Sequence, residues 1–235
     1  MSRLHNFTRN LALSYTQLGA NVLYSLISVP LILHWLPKAE FGLWALLIQL
    51  MGYISLVDLG MTSATARLLV DHKDRRKDGH YGSLVKTAFL VSLVQGCIIF
   101  AVITMASPLL ASLMKIPSDY AQTFITLMRW QGVITAFGFS LRPLGLILYA
   151  HQRADVCSLN DICSLVCQLS LLWMLLYLGV GIYSFVYASA FYGLLGPGYL
   201  LWQCKHLGLL PQVGEWGRAS WKAFKGIFIM GKTFF

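Results

Sequence analysis

The sequence predicts an all-α integral membrane fold of about six spanning helices followed by the start of a seventh, and three observations carry that prediction. Hydrophobic residues make up 57% of the chain and charged residues 11%, with a mean hydropathy of +0.65. A water-soluble domain of this length would lack the polar residues to cover its surface. No Asp, Glu, Lys or Arg occurs between Arg9 and Lys38, between Lys86 and Lys115, or between Asp161 and Lys205, and a helix needs roughly 20 apolar residues to cross about 30 Å of hydrocarbon. The cations collect instead in the short segments between those runs.

The first run predicts a helix from about Leu11 to Leu36, uncleaved because no small-residue cleavage site closes it. A tight turn, Leu36-Pro37-Lys38-Ala39-Glu40, leads to a second helix from about Phe41 to Gly60. A polar loop containing Asp71 to Asp78 follows, and then a third helix from about Leu84 to Leu110. Lys115-Ile116-Pro117-Ser118-Asp119 separates it from a fourth, about Phe124 to Tyr149. The run after Asp161 is about twice the length of one span, so it must fold back. Gly179-Val180-Gly181 supplies the turn, giving a fifth helix from about Val156 to Leu178 and a sixth from about Ile182 to Trp202. This divides the chain into a transmembrane unit, 1–204, a basic loop, 205–225, and the start of a seventh helix, 226–235, which reads as truncated.

Orientation follows from the excess of Lys and Arg that short cytoplasmic loops hold. With the N-terminus inside, Arg3, Arg9, Arg67, Lys73, Arg75, Arg76, Lys77, Lys86, Arg153, Lys205, Arg218, Lys222 and Lys225 are cytoplasmic, and only Lys38 and Lys115 face outward. The net charge of +9 and pI of about 9.4 are thereby explained by topology, without a nucleic-acid partner. Asn6-Phe7-Thr8 falls on the cytoplasmic side and is no glycosylation site. The five cysteines lie in or at the ends of spans, which implies no disulfide framework. Cys163 and Cys167 share a helix face without a His nearby, favouring packing over metal binding. No cofactor motif occurs.

The segment Glu40-Phe41-Gly42-Leu43-Trp44, followed by Val57-Asp58-Leu59-Gly60-Met61-Thr62-Ser63-Ala64-Thr65-Ala66-Arg67, resembles the second helix and following loop of bacterial polysaccharide flippases, where an Asp-x-Gly-x-x-x-Ala-x-x-Arg pattern is common. Leu141-Arg142-Pro143-Leu144-Gly145-Leu146-Ile147-Leu148-Tyr149-Ala150-His151-Gln152-Arg153 is similar to that family's fourth helix and its short Gln-Arg loop. The resemblance is to the N-terminal lobe of an O-antigen flippase in the multidrug/oligosaccharidyl-lipid/polysaccharide exporter superfamily. It implies a two-lobed transporter of the bacterial inner membrane. Such a protein carries an undecaprenyl-diphosphate-linked oligosaccharide between leaflets by alternating access, and no bond is made or broken. The partners implied are that lipid-linked oligosaccharide, membrane lipids, and a second lobe or polysaccharide assembly machinery. A cation-coupled multidrug exporter and an inactive remnant of a truncated gene stand as alternatives. A transferase acting on polyprenyl phosphate would need a carboxylate pair or a His-Asp arrangement at one membrane face, which the sequence does not offer.

Ionisable side chains inside a bilayer are costly and point to cavities or partners. Arg142 and Asp161 lie at similar depths on consecutive antiparallel helices, so they can form a neutralising ion pair, or Arg142 can face a cavity and take a diphosphate in bidentate fashion. Arg129 can bind substrate or snorkel outward from the far end of the same helix. Asp58, Gly60 and Arg67 form the structural motif, Asp58 holding the turn through Gly60 and Arg67 fixing topology. Weaker polar stripes run along the first helix, Ser14, Gln17, Asn21, Ser25 and Ser28, and along the fifth, Asp161, Ser164 and Gln168. Gln17, Asn21 and Gln168 are the candidates there for a hydrated sugar pathway, although hydrogen bonding between helices accounts for them equally. Pro30, Pro108, Pro143 and Pro197 lie within spans and allow bends.

Overall fold

The computed structural model describes residues 3–53, 58, 60–73, 79–212, 215–217 and 221–232, and among them every regular element is helical. The elements are α1 (Arg3–Trp35), α2 (Lys38–Gly52), α3 (Met61–His72), α4 (His80–Leu113), α5 (Ser118–Ala150), α6 (Ala154–Tyr177), α7 (Ser184–His206) and α8 (Trp221–Lys232), with a 3-10 turn, Gly181–Tyr183, before α7. Among the described residues, four helices are long and apolar enough to cross a membrane: α1 from Thr8, α4, α5 and α6. The chain is therefore a multi-pass membrane protein in which apolar runs become helices because only a helix satisfies its own backbone in hydrocarbon. With its 23 residues, α7 rises about 34 Å, but Gly193, Gly196, Pro197 and Gly198 dilute its apolar character.

The expected second helix differs. The α-helix that starts at Lys38 closes at Gly52 after 15 residues, a rise of only about 22 Å. Where a loop was expected, Met61–His72 forms the separate helix α3. The two pieces serve different cores. Leu43, Trp44 and Leu47 of α2 join Ile32, Ile99, Ile103, Phe124, Leu127, Leu172 and Phe185 in one cluster, with Trp44 stacked 4.2 Å from the Phe185 ring. Ala64 and Leu69 of α3 join Tyr81, Val85, Leu144, Ile147, Leu148, Val156, Cys204 and Ile227 in another. The first cluster collects the α4–α5 and α6–α7 turn ends, and the second gathers the opposite ends. Asp58 and Gly60 sit between α2 and α3. Val57, Leu59, Arg75, Arg76, Lys77 and Arg218 lie outside the described residues.

The tightest pair is α4 with α5, permitted by Gly96: a Cβ there would lie 2.6 Å from the Ala136 carbonyl oxygen. Small residues let membrane helices approach in this way. The segment after α7 is packed and not free. Tyr81 donates its hydroxyl to the Leu209 carbonyl at 3.1 Å, Leu209 is buried, and Glu215 lies on the first turn of α4 at Gly82. The expected seventh helix begins at Trp221 and packs its Ile227 side against α3.

Candidate functional site

Polar side chains converge where α2 gives way to α3. Gly60 adopts φ 71° at the position preceding α3, a conformation open to glycine at little cost. This orients Asp58 back over the first turn, where its Oδ2 accepts from the Thr62 backbone N–H at 3.4 Å and its Oδ1 from the Thr62 hydroxyl at 2.5 Å. A carboxylate beside the exposed N–H groups of a helix start is favourable in itself.

Arg142 reaches the same carboxylate from α5. Its Nη1 donates to Asp58 Oδ1 and to Thr62 Oγ1, both at 3.2 Å, and its guanidinium carbon stands 3.6 Å from the centre of the Phe139 ring. From α4, Gln95 Nε2 donates to the Asp58 main-chain oxygen at 3.5 Å. The expected Arg142–Asp161 pair is not formed. Arg142 sits about 12 Å from the C-terminal end of α5 and Asp161 about 10 Å along α6, so depth alone allowed the contact, but α5 turns Arg142 toward α3 while Asp161 turns toward α1. There its Oδ2 accepts from Gln17 Nε2 at 2.7 Å.

The remaining sequence-predicted residues divide between these two places and elsewhere. Asn21 is exposed on α1, one turn beyond Gln17, and donates to the Gln17 carbonyl at 2.9 Å. Gln168 is half-buried on the Asp161 face of α6. Arg67 is exposed on α3, not on a loop. Arg129 lies 13 positions before Arg142 on α5, which is about 140° away around the helix, so the two arginines do not share a surface.

Sequence reasoning missed the surroundings of Arg142. Thr62 stands one helical turn beyond Asp58 and Phe139 three positions before Arg142, spacings that put each on the right face once Asp58 and Arg142 are paired. Gln95, the one amide side chain in the charge-free run from Lys86 to Lys115, was the available signal. A second missed group lies at the α5–α6 turn. Asp155 is 7% exposed and pairs with Arg9, and with Arg153 Nε at 3.2 Å. Its backbone N–H donates to Asn10 Oδ1 at 3.1 Å, so the start of α1 is fastened to the start of α6.

A family model described as polysaccharide biosynthesis protein matches residues 34–235, covering the α2–α3 break, Arg142 and the α5–α6 turn. The chain belongs to this family. No curated protein and no solved structure matches it. At the break between α2 and α3 this family member holds one cation anchored along one edge, with 37% of its side chain exposed. The family match agrees with the flippase-type resemblance carried by Asp58, Gly60 and Arg142.

Proposed function

We propose that this polysaccharide biosynthesis protein forms one lobe of a flippase that moves a polyprenyl-diphosphate-linked oligosaccharide from the cytoplasmic to the outer leaflet of the bacterial inner membrane, making and breaking no bond. The observation that carries the reading is Arg142: Asp58 and Thr62 fix one edge of a guanidinium within an apolar span, and more than a third of the side chain stays open. A planar guanidinium held this way can offer its free N–H groups to a diphosphate. The interruption between α2 and α3 supports the same reading, because broken helices in transporters lie at substrate sites. Six spans with the N-terminus inside follow if α7 and the α2–α3 pair each cross, and the charge bias supports that orientation.

The test is binding of a polyprenyl diphosphate to the purified protein. Arg142→Gln is expected to weaken binding by about tenfold or more, the scale of one charge-assisted hydrogen bond. Asp161→Asn, whose carboxylate faces Gln17, keeps the affinity. Asp58→Asn combined with Arg142→Gln removes both charges and remains weak however well it folds. Unchanged affinity in Arg142→Gln removes the residue from the substrate site.

A further inference from the structure

We infer that the groove between the C-terminal half of α4 and the N-terminal half of α5 binds the phosphate of an anionic phospholipid, with Arg129 as its cationic contact. The groove encloses about 260 Å³ and is lined by Phe100, Thr104, Thr126, Arg129, Trp130 and Val133. Arg129 lies about 16 Å along α5 from Ser118, and it is exposed. Every ion pair among the described residues involves Arg9, Arg142 or Arg153, so the Arg129 charge has no carboxylate partner there. Neither wall can supply one. Helix α4 contains no Asp or Glu, and the one acid of α5, Asp119, is about 15 Å away along the helix.

A cation within an apolar helix that has no carboxylate partner is met by an anion from outside the protein, and in a bilayer that anion is a lipid phosphate. Two further features fit a lipid. The Thr104 hydroxyl oxygen is buried and has no hydrogen-bond partner, a cost that a phosphate oxygen in the groove removes. Phe100, Trp130 and Val133 are 41%, 57% and 43% exposed, giving an apolar wall along which an acyl chain can lie beneath its headgroup. Because the groove is about 140° around α5 from Arg142, it is separate from the proposed substrate contact and does not depend on it.

The experiment is native mass spectrometry of the purified protein titrated with phosphatidylglycerol, phosphatidylcholine, inorganic phosphate or a polyprenyl diphosphate. One phosphatidylglycerol per chain is expected to be retained, with phosphatidylcholine held more weakly and inorganic phosphate failing to displace it. Arg129→Gln should lower phosphatidylglycerol affinity by about tenfold, and Arg129→Lys, which keeps the charge and loses the planar fork, should fall between. Thr104→Val should reduce retention without lowering the melting temperature, since it removes an unpaired hydroxyl. Lys86→Gln, an exposed cation at the opposite end of α4, should change nothing. Equal retention by Arg129→Gln, equal binding of the two phospholipids, displacement by inorganic phosphate, or preferential displacement by the polyprenyl diphosphate would each overturn the assignment.

Discussion

Arg142 and Asp58 lie 84 positions apart in sequence and meet at 3.2 Å, joining α5 to the point where the chain passes from α2 to α3. The pair is half-buried, with side chains 37% and 18% exposed. Removing one partner leaves a charge in an apolar setting, and removing both does not. Arg142→Gln and Asp58→Asn should each destabilise the protein by about 1–3 kcal/mol, with the double variant recovering most of the loss. Denaturant titration in mild detergent measures the cycle, and strictly additive losses would mean the contact is energetically silent.

Gly60 holds φ 71° immediately before α3. Gly60→Ala places a Cβ in that left-handed conformation at a cost of about 1–2 kcal/mol, and relaxation of the turn moves Asp58 away from Thr62. The expected result is a lower melting temperature together with a smaller coupling between Asp58 and Arg142 in the same double-mutant cycle.

A Cβ on Gly82 would stand 2.0 Å from the Glu215 carbonyl oxygen. Backbone cannot swing aside as a side chain does, so Gly82→Ala should displace the segment around Glu215 from α4. Limited proteolysis in the 207–217 stretch should accelerate severalfold while the helical circular dichroism is retained. Equal cleavage rates would show that the segment is not held there.

Arg9 and Arg153 share Asp155. Arg9→Gln leaves the carboxylate its second cation, so the stability loss should stay near 1 kcal/mol. The fastening of α1 to α6 should loosen more visibly. Amide hydrogen exchange over the first turns of α1 should speed up in Arg9→Gln, and Arg9→Lys should restore the protection. Unchanged exchange would assign the hold on α1 to Asn10 and Gln17 instead.

Topology is open to direct measurement. Reporters fused after Lys115 should read outside the cytoplasm, and those after His206 inside, if α5, α6 and α7 all cross. An outside signal after His206 would remove α7 from the set of spans.

The sequence by itself determined that the chain is helical and membrane-embedded and that α4, α5 and α6 are separate helices, because a charge-free run of spanning length has few other stable conformations. Helix α6 lies within two residues of its expected bounds, while α4 and α5 start four and six residues earlier than their apolar runs suggested. The Gly179–Gly181 turn was legible for the same reason: both glycines take positive φ there. The family resemblance lay in the residues around Asp58 and Arg142, and Arg142 and Asp161 were marked out as charges in apolar surroundings. Tertiary structure alone decided which carboxylate Arg142 meets. Depth follows from counting along a helix, but a helix apolar on nearly all sides carries no pattern that tells which neighbour each side chain faces. The split of the second span into α2 and α3 was hidden likewise, since Phe41 to Gly60 contains no proline, and Gly60 marks a helix start only once Asp58 is seen capping it.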